Sequence, residues 1–519
     1  MAEIIILTDL SEWHGSRCSR YIGPYVVASK LEDAGFDVII IDWFTQQDNL
    51  FEFLENFIDN NTFMFCISTT FLSPTPIDSS RAEERSAVTN RYYTSTSLWK
   101  TSNAELAEWF FQCRELLNKY NKDCKIILGG ARSDLMYKYP ENNTIQDLYK
   151  EVDYAIVGYA EESTIRLAKQ LKSNNETPSI LKNGIKFIID NFPKNHCPSI
   201  TYNPKWAIRP NESLPIEIAR GCLYNCKFCY YDKKASYRKD LAELRDEFIR
   251  NYEMFGTNSY HFCDDCFNDT RQKVEETCNV ILQLPFKINW ISYARTDVAV
   301  KFPETLDLMI ESGARALGFG VETFNREAGR RAGKGVPAEK IKQFLLDSYQ
   351  KYKDKCLYHA TFIVGLPGET EESQLETIEW LVNNQCLDFA SFGALGVPEY
   401  KPEFDGTVSD YPDFARHPEK YGFIEIKTNP MYWRHQTMDR TKAEELTSIV
   451  NKKWLDSGNK TYLRYMWFVP MLFSLGFTWD NILDMARNEL TASNWSNIVS
   501  STFNQWLENY RKELIIKGK

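Results

Sequence analysis

Three cysteines stand close together near the middle of the 519-residue chain, in the sequence IEIARGCLYNCKFCYYD that begins at Ile216. Three residues separate Cys222 from Cys226, and two residues separate Cys226 from Cys229. Thiolates at such short spacings are typical ligands of an iron–sulfur cluster, which normally takes four of them. Three thiolates would leave one iron with an open coordination position, where substrate chemistry can occur. Gly221 permits a tight turn at the start of this loop.

A structural zinc site is the alternative interpretation of the same cysteines. Structural zinc takes four ligands, and Cys263 and Cys266 form a CxxC pair that could supply the fourth. We favour the iron–sulfur interpretation because of the motifs that follow the loop. Cys263 and Cys266 are then interpreted as small buried residues, with a second redox or ligand pair as the alternative.

Three further motifs follow at intervals along the chain: FCDDCFND (262–269), GFGVET (318–323) and FIVGLPGET (362–370). Each has an ordinary explanation when taken alone. Asp264 and Asp265 could cap a helix, Glu322 could be a solvated charge, and Gly365 could belong to a turn. Their joint occurrence in this order, after the cysteine loop, favours a shared functional role.

The elements that must position these motifs form a repeating pattern of strands and helices over residues 215–400. Apolar runs predict six strands, at 215–222, 259–265, 287–295, 316–323, 358–365 and 389–397. Helical patterns lie between them, which predicts a partial (βα)6, TIM-like barrel. The chemistry of such barrels lies at the C-terminal ends of the strands, and each motif falls at such an end.

An N-terminal α/β domain is predicted for residues 1–185. Its nearly continuous apolar runs, at 3–9, 37–43, 62–69, 124–130 and 153–159, predict buried parallel strands with helical crossovers. This is the pattern of a doubly wound, Rossmann-like sheet. The proline-containing segment 186–214 is predicted to be a linker, and residues 401–519 are predicted to form a helical C-terminal domain. The predicted fold class is therefore α/β with a helical C-terminal part.

Composition places limits on the function. The formal net charge is -10 and the basic residues are dispersed, which argues against a nucleic-acid partner. No apolar stretch reaches the roughly 18 residues of a membrane span, and the first residues do not have the pattern of a signal peptide. We therefore expect a cytoplasmic protein without a membrane partner, whose cysteines are reduced.

The CxxxCxxC loop and the three motifs after it resemble the radical S-adenosylmethionine superfamily. The resemblance implies that Cys222, Cys226 and Cys229 hold a [4Fe–4S] cluster, with the aromatic Phe228 before the last cysteine. It implies that the open iron chelates S-adenosylmethionine and that one electron then cleaves the sulfonium to a 5′-deoxyadenosyl radical. A reductase or a flavodoxin-type protein is the expected electron donor.

The same resemblance assigns residues to S-adenosylmethionine. Asp264 or Asp265 would hold its amino group, Glu322 would make a polar contact, and Gly365 would lie in the motif that packs on the adenine. Arg295, the last residue of the third predicted barrel strand, is assigned to the same cofactor site.

The first domain resembles the cobalamin-binding domain that is fused to many radical enzymes, on the segments YIGPYVVASKLEDAGFDVIIID (21–42), CISTT (66–70), ILGGARS (127–133) and VDYAIVGYAEES (152–163). The resemblance implies that a macrocycle approaches the backbone at glycines and that hydroxyls bond its nucleotide tail. These residues are Ser68, Thr70, Gly129, Gly130 and Gly158. His14 does not stand in the spacing of a cobalt-ligating histidine, so cobalamin without a protein histidine on cobalt is expected.

A chain that combines a cobalamin-binding domain with a radical cluster resembles the methyltransferases that act on unactivated carbon or on phosphorus through methylcobalamin. The expected substrate is a small molecule or a peptide. A non-methylating cobalamin radical enzyme, such as a cyclase, a ring-contraction enzyme or an oxidative rearrangement enzyme, is the closest alternative. A methylthiotransferase fits less well, because its N-terminal domain holds a second cluster on three cysteines and Cys18, Cys66, Cys113 and Cys124 do not reproduce that pattern. An iron–sulfur sensor without enzymatic activity is a further alternative.

Overall fold

The structure of the chain is a computed structural model that describes residues 2–9, 19–47, 49–69, 103–138, 150–190, 197–229, 237–405, 411–427 and 431–518. His14 and Thr70 lie outside the described residues. The chain divides into two compact units. The first comprises residues 1–193, 200–210 and 500–519, and the second comprises residues 194–199 and 211–499.

Seven strands form the sheet of the first unit: β1 (Ile4–Thr8), β2 (Val38–Asp42), β3 (Met64–Ser68), β4 (Lys125–Gly129), β5 (Tyr154–Val157), β6 (Ile180–Lys182) and β7 (Ile185–Ile189). Their order is β2-β1-β3-β4-β5-β7-β6, and every neighbouring pair is parallel except β6 and β7. The five predicted strands are confirmed. Strands β1, β2 and β5 are buried along their whole length, as strands covered on both faces are.

The connections of the first unit are helical, as a doubly wound sheet requires. The helices described are α1 (Ile22–Asp33), α2 (Leu50–Leu54), α3 (Asn103–Tyr120), α4 (Ala131–Lys138) and α5 (Glu161–Lys172). Helices α1 and α5 pack against each other. The parallel strands therefore end at one common edge, where Ser68 and Gly129 stand side by side in the register of β3 and β4.

Two segments of the first unit differ from the predicted domain boundaries. Strand β7 extends to Ile189, inside the predicted linker 186–214, and Trp206 of that segment is buried with its Nε1 donating to the Val38 carbonyl at 2.9 Å. The end of the C-terminal helix also belongs to this unit, since the Tyr510 hydroxyl accepts from the Asp42 amide at 3.0 Å. Prolines and the absence of periodicity do not reveal such distant packing.

The second unit contains the predicted partial barrel. Its strands are β8 (Leu214–Ile216), β9 (Ala219–Arg220), β10 (Tyr237–Arg238), β11 (Ser259–Phe262), β12 (Asn289–Arg295), β13 (Ala314–Glu322), β14 (Leu357–Val364) and β15 (Phe389–Ala394). Six of them form an all-parallel sheet in the order β15-β14-β13-β12-β11-β8. Strands β9 and β10 form a small antiparallel pair at the base of the cysteine loop.

Helices connect the barrel strands in the expected alternation: α6 (Leu241–Phe255), α7 (Arg271–Leu282), α8 (Thr296–Lys301), α9 (Pro303–Glu311), α10 (Arg326–Ala332), α11 (Ala338–Tyr352) and α12 (Glu371–Asn384). Side-chain caps mark the starts of several of these helices. Thr270 and Asn325 accept hydrogen bonds from backbone amides of the first turns of α7 and α10, and Thr370 forms a capping box at α12. These caps fix where each loop at the C-terminal edge of the sheet ends.

The C-terminal region is helical, as predicted, with α13 (Asp413–Arg416), α14 (Arg440–Asp456), α15 (Phe468–Ser474), α16 (Trp479–Arg487) and α17 (Ala492–Gly518). It also contains an unpredicted antiparallel pair, β16 (Phe423–Lys427) and β17 (Tyr432–His435). Among the helices that the structure describes, none combines the length and the apolar character needed to cross a membrane.

Candidate functional site

The cysteine loop leaves the barrel directly after β9. Gly221 has a φ of 82°, a left-handed conformation that glycine adopts without steric cost. Cys222 is buried, whereas Cys226, Phe228 and Cys229 are half-buried. The loop also contacts the end of α10, because the Lys227 amide donates to the Ala332 carbonyl at 3.0 Å. The three predicted ligands therefore lie on one short, anchored loop at the C-terminal edge of the sheet.

The three thiols have different surroundings. A hydrogen bond from Cys266 lowers the pKa of Cys222 to about 7, although burial acts in the opposite direction. Arg295 Nη1 donates to Cys226 Sγ at 2.9 Å, and the Cys229 amide donates to the Cys226 carbonyl at 3.2 Å. Ligands must be thiolates, and the hydrogen bond from Cys266 favours that state at Cys222.

The donor set fits the predicted cluster: three cysteines at the family spacing, with hydrogen-bond donors to two of the sulfurs. In the part of the chain that the structure describes, no three His, Cys, Asp or Glu side chains are already grouped around a metal position. The cysteine side chains would therefore turn toward a common centre when a cluster is assembled, as is usual when ligand placement is coupled to metal binding.

Asp264 holds the backbone that leads into the cysteine loop. Its Oδ1 accepts from the amides of Ile218 at 2.8 Å and Ala219 at 3.1 Å, and its Oδ2 pairs with Lys273 Nζ at 2.7 Å. Both side chains of this ion pair are 1% exposed. These contacts engage both carboxylate oxygens of Asp264. Of the two predicted residues, we therefore expect Asp265, which is half-buried at the same strand end, to contact the amino group.

We expect Asp264→Ala to be strongly destabilising, because it leaves Lys273 as a buried charge without its closest partner. Removing one member of a buried pair typically costs about 3–5 kcal/mol. Urea unfolding followed by circular dichroism measures the effect. The matched control is Asp265→Ala, which should unfold like the wild type but bind S-adenosylmethionine roughly 10- to 100-fold more weakly. Wild-type stability of Asp264→Ala, or unchanged binding by Asp265→Ala, would contradict these assignments.

Arg295 ends strand β12 beside the cysteine loop and is 6% exposed. Burial opposes its charge, but hydrogen bonds and opposite charges at Asp297 and Cys226 outweigh that effect and raise the pKa of the guanidinium above its ordinary value. Arg295 thus stands beside the cysteine loop, and its Nη1 contacts Cys226, a predicted cluster ligand.

Glu322 ends strand β13 in an unusual conformation. Its φ is 68°, and the pairing of β13 with β14 is irregular between Gly320 and Glu322. The carboxylate pairs with Lys334 Nζ at 3.2 Å, and a Cβ added to Gly320 would lie 2.6 Å from Glu322 Oε1. Left-handed backbone at a non-glycine residue costs free energy and is frequent at functional sites. Because Gly320 has no Cβ, the Glu322 carboxylate can lie close to the backbone at the end of β13.

Gly365, at the end of β14, is fixed by the C-terminal region. Its φ is 91°, and an added Cβ would lie 2.5 Å from the Trp433 ring. The Gly365 carbonyl lies 3.0 Å from His435 Nε2. The hairpin of β16 and β17 thus packs directly behind the motif that the sequence assigns to the adenine. This contact joins residues 70 positions apart and has no local signal in the sequence.

Glu369 is a site residue that the sequence analysis did not single out, although it lies inside the motif FIVGLPGET. It is 1% exposed, and burial raises its pKa to about 7. Thr323 Oγ1 donates to Glu369 Oε1 at 2.5 Å, and the Gly365 amide donates to Oε2 at 3.3 Å. Glu369 therefore ties the ends of β13 and β14 together.

Residues of three barrel strands contact the C-terminal segment at Met466 and Trp467. Tyr293 is 38% exposed between buried neighbours on β12, and its ring lies 4.5 Å from that of Trp467. Trp467 also lies 5.1 Å from His261. A Cβ on Gly318 would lie 2.9 Å from Met466 Cε. Residues 466–467 thus form a floor inside the barrel, which the strand pattern did not predict.

The carboxyl edge of the first unit has the predicted small residues. A Cβ on Gly129 would meet no atom of the described residues within 4 Å, whereas one on Gly158 would lie 2.8 Å from Asp190 Cβ. Gly130 and Gly158 have φ values of 95° and 117°. Among the described residues, none occupies the space that a side chain at Gly129 would take beside Ser68. At position 158, the closeness of Asp190 leaves no space for a side chain.

Comparison with known proteins identifies the barrel. Residues 216–381 match the Radical SAM superfamily. Among solved structures, the radical S-adenosylmethionine methyltransferase TsrM from Kitasatospora setae, with tryptophan substrate and a SAM analogue bound, is 15% identical with a TM-score of 0.53, over 80% of this chain and 75% of that one. The cobalamin-dependent S-adenosylmethionine radical enzyme OxsB, with aqua-cobalamin and S-adenosylmethionine bound, is 15% identical with a TM-score of 0.52, over 98% and 75%. These likenesses confirm the predicted fold.

Curated sequences match a smaller share of this chain than the two solved structures do. The ribosomal protein uS12 methylthiotransferase RimO of Acinetobacter baumannii (strain AYE) is 25% identical over 246 residues, which are 43% of this chain and 52% of that protein. The uncharacterized methyltransferase sll1242 of Synechocystis sp. is 29% identical over 171 residues, 31% of each chain. The chain thus spans about half the length of the curated methylthiotransferases that it matches.

Proposed function

We propose, starting from the radical SAM domain of residues 216–381, that this chain is a cobalamin-dependent radical SAM methyltransferase acting on an unactivated carbon or phosphorus centre. The observation that carries the proposal is the combination of two units in one chain. One has a cysteine loop at the C-terminal edge of a radical SAM barrel. The other is a doubly wound sheet whose carboxyl edge carries Ser68 and Gly129, where no described residue would meet a Cβ on the glycine.

The second unit would hold the cluster on Cys222, Cys226 and Cys229, and S-adenosylmethionine beside Asp265 and Glu322. When bound, the cluster supplies the electron that cleaves S-adenosylmethionine to the 5′-deoxyadenosyl radical. The protein places its contacts on three adjacent strand ends, because β11, β12 and β13 are neighbours in the sheet. Glu369 ties the end of β13 to that of β14, a fourth strand end, so that the site is held before the ligand arrives.

The first unit would hold cobalamin at the edge formed by Ser68, Gly129 and Gly130, since ligands of doubly wound sheets bind beyond the carboxyl ends of the strands. When bound, cobalamin supplies the methyl group for transfer. The barrel interior is the proposed place of the substrate, where the side chains of His261 and Tyr293 offer polar contacts and an aromatic face above Trp467. Residues 466–467, which pack inside the barrel, would limit the access of water to a radical formed there.

Two rival functions belong to other reaction classes. A non-methylating cobalamin radical enzyme would use the same residues and would differ in the product. A methylthiotransferase receives support from the similarity to RimO, which covers 43% of this chain. A methylthiotransferase would need a second cluster in the first unit. Burial raises the pKa of Cys66, Cys113 and Cys124 in that unit. The raised pKa disfavours the thiolate form that a ligand must have.

The proposal is tested with protein reconstituted anaerobically with iron, sulfide and hydroxocobalamin, reduced by a flavodoxin-type donor. Small-molecule and peptide fractions are incubated with S-adenosylmethionine or its trideuteriomethyl form. We expect 5′-deoxyadenosine together with a product that gains one methylene mass, and a gain that increases with the deuterated methyl group. A product without a methyl gain would favour the non-methylating class, a gain that includes sulfur would favour methylthiolation, and a cluster without S-adenosylmethionine cleavage would favour a sensor.

A further inference from the structure

The end of strand β12 contacts the cysteine loop through a buried cation. Arg295 Nη1 donates a hydrogen bond to Cys226 Sγ at 2.9 Å, and the guanidinium carbon lies 3.7 Å from the centroid of the Tyr224 ring. Stacking of a guanidinium on an aromatic face is a favourable cation–π arrangement. Arg295 is thus joined to the loop at two residues, one of which is a predicted cluster ligand.

Other residues hold the guanidinium in this position. Asp297 accepts from Arg295 Nε at 2.9 Å and from Nη2 at 2.6 Å, which leaves Nη1 directed at the sulfur. The Asn268 side chain accepts from the Arg295 amide at 2.6 Å and donates to its carbonyl at 3.0 Å. Because its backbone and its side chain are both fixed, the donor to Cys226 is placed before any cluster is present.

We propose that Arg295 is a positioning residue that sets the reduction potential of the cluster held by Cys226, and so makes its one-electron reduction easier. This inference rests on the proposed function. The reduced cluster carries one more negative charge than the oxidised cluster. Hydrogen bonds to the cluster sulfurs and nearby net charge are among the properties that tune cluster potentials. A buried guanidinium that donates to a ligand sulfur stabilises the reduced form more than the oxidised form.

The test compares two variants. Arg295→Met removes the charge and the hydrogen-bond donors, whereas Arg295→Lys keeps the charge but lacks the planar guanidinium group. The matched control is Arg315→Met, an arginine near the start of β13 that donates to Asn289 Oδ1 at 2.7 Å. Each full-length protein is reconstituted anaerobically, its iron is counted, and its cluster is titrated with a low-potential reductant while electron paramagnetic resonance reports the reduced form.

We expect the midpoint potential to shift to a more negative value in Arg295→Met, to shift less in Arg295→Lys, and to stay unchanged in Arg315→Met. A wild-type potential in Arg295→Met would overturn the inference and leave Arg295 as a structural tie of the loop. If Arg295→Met does not assemble a cluster, a wild-type potential in Arg295→Lys overturns it. Failure of the wild-type protein to assemble any cluster would instead contradict the proposed function.

Discussion

Replacing Cys226 by alanine should abolish the cluster and, with it, cleavage of S-adenosylmethionine. The wild-type protein is expected to bind about four irons per chain after anaerobic reconstitution. Two thiolates cannot replace three, because the cluster would then be anchored to the protein at only two of its irons and would be held too weakly to persist. Iron analysis, the visible absorption of the cluster and the yield of 5′-deoxyadenosine measure the effect. The same loss is expected for Cys222→Ala and Cys229→Ala.

The matched control is Cys386→Ala, which changes a buried cysteine outside the loop. It should retain the iron content and the cleavage activity of the wild type, since it removes only a small packed side chain. Full iron content and full cleavage in Cys226→Ala would contradict the assignment of the ligands. Loss of iron in Cys386→Ala as well would indicate that the cluster is lost through general destabilisation.

Replacing Gly129 by phenylalanine should abolish cobalamin binding and leave the cluster in place. A large ring at the end of β4 would occupy the approach to the carboxyl edge, where a Cβ would meet no atom within 4 Å in the part of the chain that the structure describes. The substitution should therefore be tolerated by the fold, while a macrocycle could no longer approach the backbone. Cobalamin retained after gel filtration, measured by its absorption, and iron content report the two effects separately.

Gly129→Ala is the matched control, because a single methyl group fits in the same space. We expect it to retain cobalamin. Equal retention of cobalamin by Gly129→Phe and the wild type would show that the macrocycle lies elsewhere. A wild-type protein that retains no cobalamin but cleaves S-adenosylmethionine would remove methyl transfer through cobalt from the proposed function.

The cysteine loop and both sheets could be predicted from the sequence because their signals are local. The spacing of Cys222, Cys226 and Cys229 is a property of eight consecutive residues, and strands buried on both faces appear as short apolar runs. Strand ends of a parallel sheet meet at one edge whatever the details of packing. The sequence alone therefore predicts that the motifs at 262–269, 318–323 and 362–370 lie at one site.

The tertiary structure alone decided which polar residue does what inside that site. Asp264 and Asp265 are adjacent in the sequence, yet only the fold shows Asp264 bound to Lys273 and to the backbone before the cysteine loop. The contact between Arg295 and Cys226 spans 69 positions, and the packing of Met466 on Gly318 joins the barrel to the C-terminal region. Contacts between distant segments depend on how complete elements pack against each other, and neither periodicity nor residue spacing records that packing.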